Sequence, residues 1–351
     1  MDGARDIVLI SFPFAAGVAL AQFCGLPLFH SSLALTSAII ILALGGKLQH
    51  RGWFALLFFC LGVLCGSTGI CAPAVFTQNP FENALAATDA VIGKIPFSSE
   101  GNRQLVRALL TGRRDGLPRE TVAFFRTAGA SHILALSGLH MGIICILVGK
   151  LLFFLGNGRA GAIARSMLTV TICTFYALMT GASPSIVRAL LFIAINEIMR
   201  HSPGRKKSPL ALWCCALVIQ LTVSPWVVKS VGFQLSYLAM LGIFMLYPGL
   251  EAFYPGQGRS KDPFKWMWNS MALSFSCQLF TAPLVWKVFH TFPKHFLLTN
   301  MIALPLTTVL VGCSAILILL GFAGLCPDWL AWTADTLAEL LQGCLEIIAG
   351  M

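Results

Sequence analysis

Apolar runs long enough to cross a bilayer recur along the whole chain, and no other feature constrains its fold as much. They cover residues 7–28, 31–46 (a short one), 53–71, 133–155, 160–180, 185–200, 208–223, 226–247, 266–288 and 296–322. A helix needs about 20 such residues to span about 30 Å of hydrocarbon. The stretch 328–349 carries Asp335, Glu339 and Glu346 and reads as a weak span or an interfacial helix. Backbone groups in lipid find partners only within a helix or a closed barrel, and these runs have helical length. The pattern predicts an all-α, polytopic integral membrane protein with about 10–11 transmembrane helices and a short external amphipathic helical segment. Composition agrees. Of 351 residues, 57% are hydrophobic and 11% charged, against about 25% charged in a soluble domain. Mean hydropathy is +0.81. A soluble globular protein, a disordered chain and a disulfide scaffold are all excluded.

The chain divides into N-terminal spans (1–71), a connector with amphipathic helices (72–130), a middle region rich in polar spans (131–325) and a C-terminal amphipathic or transmembrane helix (326–351). Residues 7–18 followed by Ala19-Leu20-Ala21 resemble a cleavable signal. However, Met1 to Asp6 holds two Asp against one Arg, so a retained first span is predicted.

The net charge of +10 is read first as orientation. Taking the loop with Arg200, Arg205, Lys206 and Lys207 as cytoplasmic places Arg5, Lys47, Arg51, Arg159, Arg165, Arg259, Lys261 and Lys265 on the same side. Only Lys229, Lys287 and Lys294 fall in short loops on the other side. That asymmetry predicts a cytoplasmic N-terminus and an external connector. Twelve cysteines lie mostly inside apolar runs, with no C-x-x-C pair, and read as small packing residues.

In the connector, Asn102 is a candidate cap for a helix whose Leu105, Val106, Leu109 and Leu110 share a face. Pro118 suits the first turn of a second helix bearing Val122, Phe124 and Phe125. Both helices could lie on the membrane surface. Arg103, Arg107, Arg113, Arg114, Arg119 and Arg126 then form either a solvated, headgroup-facing side or a landing surface for a polyanion.

Chemistry-bearing residues concentrate in 131–305. Ser137 and His140 share a helix face, but a Ser-His nucleophile needs an orienting acid. Glu197 is the only carboxylate between Glu120 and Glu251. His132 and His140 are eight apart, about 80° off one face, and lack further ligands. No enzyme activity, metal or cofactor is predicted. Thr180-Gly181-Ala182-Ser183-Pro184 breaks two spans, with Ser183 placed to cap the next helix and Pro184 in its first turn. Arg188 lies one turn in. It either snorkels or bonds to carbonyls, or else it is an unpaired positive charge that meets an anionic substrate. Gln234 and Ser236 sit in a later span, Gln278, Thr281 and Pro283 in another, and Asn300 and Pro305 in the next. Taken together, Ser137, His140, Ser183, Arg188, Gln234, Gln278 and Asn300 read as the lining of a hydrated passage.

Three stretches carry a family resemblance: HILALSGLHMG at 132–142, TGASPSIVRA at 180–189 and GFQLSYLAMLG at 232–242. With the lead-in ALLTGRRDGLP at 108–118, and with Gln278, Thr281, Pro283, Asn300 and Pro305, they resemble the membrane domain of ComEC-type competence proteins over about 105–310. The resemblance implies a channel in the bacterial plasma membrane that admits one DNA strand to the cytoplasm. Ser137, Gly138, His140, Ser183, Pro184, Arg188, Gln234 and Ser236 are its motif positions. Full-length members of that family also resemble an external OB-like domain and a C-terminal metallo-β-lactamase-like domain. Here 72–130 is short for an OB barrel, and the last histidine is His295. The implied partners are single-stranded DNA, membrane lipid, and a separate DNA receptor and nuclease, with room for a homo-oligomer. The chain has no G-x-x-x-x-G-K-[ST] loop, so a cytoplasmic helicase-type motor is expected as well. Two other readings are a secondary transporter of a small organic anion and a non-conducting assembly subunit.

Overall fold

The computed structural model describes residues 2–44, 51–68, 80–156, 158–201, 208–254, 263–290 and 294–351. Lys47, Arg205, Lys206, Lys207, Arg259 and Lys261, used above to set orientation, lie outside the described residues. The helices are α1 (Asp2–Cys24), α2 (Leu28–Leu44), α3 (Arg51–Ser67), α4 (Glu82–Lys94), α5 (Glu100–Thr111), α6 (Arg119–Thr127), α7 (Ser131–Leu134), α8 (Gly138–Leu151), α9 (Arg159–Met179), α10 (Pro184–Arg200), α11 (Pro209–Val223), α12 (Val231–Ala252), α13 (Pro263–Phe289), α14 (Phe296–Phe322) and α15 (Asp328–Ala349). Two 3-10 turns, Leu152–Leu155 and Pro225–Lys229, complete the regular structure. No strand occurs among the described residues.

Six helical stretches in the described residues are long and apolar enough to cross a membrane: Asp6–Cys24, Gly138–Leu155, Arg159–Met179, Val231–Ala252, Phe264–Phe289 and Phe296–Phe322. Leu28–Ile40, Gly52–Ser67 and Pro209–Val223 are apolar but shorter. The protein is an all-α, multi-pass membrane protein. Apolar side chains such as Met167, Ile198 and Leu319 are exposed on helix exteriors, as lipid allows.

The N-terminal helices show how such helices associate. A Cβ on Gly17 would sit 2.1 Å from the Phe59 carbonyl oxygen, and one on Gly62 2.1 Å from that of Phe14. Backbones this close leave room only for hydrogen, which maximises dispersion contact where no hydrophobic force separates helix from lipid. Phe14 and Val18 of α1 continue into a core with Trp213, Leu217 and Leu221 of α11 and Phe233 and Tyr237 of α12.

The connector is not a pair of free surface helices. Its apolar face, with Ile92, Leu105, Leu109 and Phe125, joins Leu310 and Leu317 of α14 and Leu341 and Leu345 of α15 in one core. It follows α14 for most of that helix. Ala128 accepts from the Thr299 hydroxyl at 2.7 Å, and Val91 packs on Gly321. At 1.5 Å per residue those two points are about 33 Å apart. Asn102 is not a cap. Ser99 occupies that position and accepts from the Asn102 N–H at 3.1 Å. The Asn102 amide instead donates to the buried Asp335 carboxylate at 2.7 Å and accepts from Gln342 at 2.7 Å. Those two partners lie more than 230 residues away, so local sequence could not reveal them. α15 therefore packs its apolar face on the connector and turns Asp335 and Gln342 to Asn102, while Glu339 and Glu346 stay exposed.

Three chain breaks lie together at one end. Ala135–Ser137 interrupts the run expected as one span at 133–155, separating α7 from α8. Thr180–Ser183 separates α9 from α10. The 3-10 turn before α12 means that Gln234 and Ser236 lie in that helix's first two turns, not mid-span. The α9–α10 break needs two left-handed residues in succession, Gly181 (φ 84°) and Ala182 (φ 48°). Gly adopts that region freely, whereas Ala does so at a cost of about 1–2 kcal/mol. Basic groups mark the opposite end. Arg165 donates to the Gly156 carbonyl at 2.8 Å, and Arg200 pairs with Glu197 at 3.6 Å.

Candidate functional site

The α7–α8 and α9–α10 breaks, the start of α12 and the end of α5 surround an open cavity of about 520 Å³. Thr111, Gly112, Arg113 and Arg114 line it from the connector, with Glu82 and Leu85 of α4. Ala135 and Leu136 contribute from the α7–α8 break. Thr180, Gly181, Ser183, Pro184 and Ser185 contribute from the α9–α10 break, and Gly232 from α12. Segments from 82 to 232 meet there because the connector core holds α5 against the break-bearing helices. One such tie is the Tyr176 hydroxyl, which donates to the Leu110 carbonyl at 2.9 Å.

The wall is electrostatically ordered. Asp89, with its side chain 17% exposed, accepts from Arg107 Nε and Nη2, both at 3.1 Å, and from Arg113 Nη1 at 2.9 Å. The hydrogen bond to Asp89 pushes the Arg107 guanidinium above its usual range, outweighing desolvation, so it stays charged at any working pH. Arg113 Nη2 also pairs with Glu82 at 3.3 Å. Arg103 pairs with Glu100. Arg114, Arg119 and Arg126 are exposed and make no ion pair among the described residues. The six connector arginines thus divide into three that carboxylates engage and three that face outward, with Arg114 on the cavity wall.

Ser183 occupies the N-cap position of α10 and Pro184 its first turn, as read from the sequence. The Ser183 hydroxyl makes no cap bond, however, and is buried without a partner among the described residues. Ser137 is the N-cap of α8 and pairs with His140. Its N–H donates to Nδ1 at 3.3 Å, and its hydroxyl lies 3.1 Å from the same nitrogen. An accepting Nδ1 leaves the ring proton of a neutral histidine on Nε2. That atom is fully buried and has no partner among the described residues.

Arg188 is 9% exposed. It donates to the Ser236 carbonyl and lies 5.8 Å over the Tyr237 ring. Its Nη2 is 3.4 Å from the place a Gly138 Cβ would take, so the guanidinium rests against the start of α8. The Tyr237 hydroxyl donates to Gln220 at 2.8 Å, Gln220 donates to the Pro184 carbonyl at 3.1 Å, and Trp213 donates to the Tyr237 carbonyl at 3.2 Å. The Gln234 amide donates back to the Val228 carbonyl at 2.7 Å. Gln278 Nε2 on α13 and Asn300 Oδ1 on α14 are buried without partners among the described residues.

Of the ten path residues named from the sequence, the cavity takes Ser183 and Pro184. Gly138, Arg188 and Ser236 meet in a second cluster, with Ser137 and His140 coupled at the start of α8. Gln278 and Asn300 stand on other helices, and Gln234 serves the turn before α12. Sequence reasoning missed Glu82, Asp89, Gln220 and Trp213. Gln220 carried a signal, being a lone amide in an apolar helix. Glu82 and Asp89 carried none, because their partners sit 18 to 31 residues away. Among the described residues no group of three or more His, Cys, Asp or Glu could hold a metal.

The competence protein family model matches residues 109–351. The chain belongs to that family. It is 27% identical to ComE operon protein 3 of Bacillus subtilis over 65% of this chain and 28% of that protein. Recombination protein 2 of Haemophilus influenzae is also 27% identical, over 70% of this chain and 32% of that protein. Competence protein ComA of Neisseria gonorrhoeae is 28% identical, over 52% of this chain and 26% of that protein. The chain thus spans less than a third of the length of these relatives. No solved structure matches it.

Proposed function

We propose that this competence-family chain passes single-stranded DNA across the bacterial plasma membrane toward the cytoplasm, with the 520 Å³ cavity as the external mouth. One observation carries the reading: the three motif stretches and the arginine lead-in, scattered over more than 120 residues, converge on that single cavity. A strand with one charge per nucleotide needs fixed positive groups and water in place of hydrocarbon. Arg113, Arg114 and the free N–H groups opening α10 supply the first. Buried polar atoms without partners among the described residues, on Ser183 beside the cavity and on His140 at the start of α8, call for water or a ligand there. Arg188 sits below the mouth as a positive station against the α8 N-terminus.

DNA arriving from outside would be delivered by a separate receptor and trimmed to one strand by a separate nuclease. A cytoplasmic helicase-type motor would pull it inward. The test is arrival of labelled DNA in a deletion strain complemented with wild type, Arg114→Ala or Arg188→Ala at matched membrane abundance. Lost arrival at matched abundance supports the reading. Normal arrival in the uncomplemented deletion strain overturns it.

A second reading draws on the cavity volume, which falls in the roughly 300–1,000 Å³ range of small-ligand sites. Under it the chain is a secondary transporter of a small organic anion. Saturable anion uptake by proteoliposomes, with DNA arrival intact in the deletion strain, would favour it.

A further inference from the structure

We propose that Glu82 is a built-in stand-in for phosphate: its carboxylate occupies the Arg113 edge that faces the cavity, and a phosphate group of the incoming strand displaces it. The inference rests on the reading of the cavity as a mouth for single-stranded DNA and deepens it.

The two carboxylates on Arg113 are not equivalent. Asp89 is 17% exposed and holds Arg107 through both its oxygens while also accepting from Arg113 Nη1. It is a fixed strut. Glu82 is 61% exposed, makes a single 3.3 Å contact to Arg113 Nη2, and itself lines the cavity. An exposed single-contact pair contributes little, so a competing anion can replace it cheaply. A phosphate diester placed there would meet Arg113 Nη2, held in position by Asp89, and the unpaired Arg114 on the same wall. Ser183, whose buried hydroxyl has no partner among the described residues, is also on the wall of this cavity. Arginine matches phosphate geometry through two parallel N–H donors, which a carboxylate uses in the same way.

Glu82 has two consequences there. It keeps the guanidinium paired when no strand is present. It also penalises isolated small anions, which must displace a tethered carboxylate with only one charge, whereas a strand brings several phosphates at once. Glu82 is therefore a specificity-determining residue favouring polyanions.

The test uses the purified full chain in detergent and a 5′-fluorescein oligothymidylate, with binding read by anisotropy at low salt. Glu82→Gln should bind about 3- to 10-fold tighter than wild type. Glu120→Gln makes the same change in net charge on an exposed site outside the cavity and should bind within 2-fold of wild type. Glu82→Asp keeps the charge and should stay near wild type. Equal tightening by Glu82→Gln and Glu120→Gln, or no tightening by Glu82→Gln, overturns the stand-in role while wild-type binding still supports the DNA path. Absence of oligothymidylate binding by wild type and every variant overturns the DNA reading, and the stand-in with it.

Discussion

Asp89→Asn probes the strut that holds the cavity wall. Asparagine keeps one acceptor oxygen and turns an NH2 group toward guanidinium donors. Of the three bonds at 2.9–3.1 Å, those to Oδ2, or the one to Oδ1 in the flipped amide, are lost, and the two arginines keep only exposed counter-charges, Glu82 at 3.3 Å on Arg113 and Asp115 at 3.8 Å on Arg107. A hydrogen bond to a charged group contributes about 1.5–3 kcal/mol, and breaking a fully buried ion pair costs about 3–5 kcal/mol. The three side chains are 17%, 21% and 31% exposed, so water screens part of this and the expected loss is about 2–3 kcal/mol. At about 2.1 cal/mol/K of unfolding entropy per residue over 351 residues, each kcal/mol shifts the midpoint by about 1.4 °C, so it should fall by about 3–4 °C. Cys173 is a suitable reporter. It is fully buried in the cluster that includes Leu85 of α4, so with Cys173 as the single cysteine a maleimide dye reaches it when that cluster opens. A double-mutant cycle with Arg107→Gln should return a coupling of at least about 1 kcal/mol. A midpoint within about 1 °C of wild type, together with additive single effects, would show that the triad does not hold the wall.

Further predictions concern individual contacts. Tyr237→Phe leaves Gln220 Oε1 buried without its donor and should cost about 1–3 kcal/mol in the same melt, while the ring stays over Arg188; an unchanged melt refutes the network. Ala182→Gly trades left-handed strain against chain entropy and should leave stability equal or up to about 1 kcal/mol higher. Ala182→Val should lose more than about 1 kcal/mol, and the reverse order would contradict the φ of 48°. In single-cysteine variants, Cys24 and Cys326 are exposed, whereas Cys60, Cys173 and Cys214 are buried. An impermeant maleimide should label Cys24 on intact cells and Cys326 only after permeabilisation; labelling of both from outside would refute the orientation and the crossing of α14.

The positions of the helices were legible because span length and apolarity are local properties. Runs at 160–180, 185–200, 208–223, 266–288 and 296–322 return as α9, α10, α11, α13 and α14 within a few residues. The α9–α10 break was legible too, since Gly181 and Pro184 each act on their own backbone, although the cap bond expected of Ser183 does not form. The run at 133–155 misled, because Ala135–Ser137 carries no strong breaker. Its few polar residues, Ser137 and His140 among them, are too sparse to set a periodicity that marks where a helix stops.

Partners distant in the chain were not legible. Asn102 looked like a cap because Asn is a good one, and only the docking of α15 explains why it faces Asp335 instead. Arg188 could be seen as a charge without a local acid, but whether it met solvent, a carbonyl or a ring depended on where α12 lay. By itself the sequence determined an all-helical membrane chain, its α9–α10 break and its reservoir of positive charge, since each follows from transfer energies and backbone preferences acting within a few residues. Only the tertiary structure decided which breaks share a cavity, which arginines are neutralised and which polar atoms stay unpaired. Those outcomes depend on distances between groups that the covalent chain leaves free to vary.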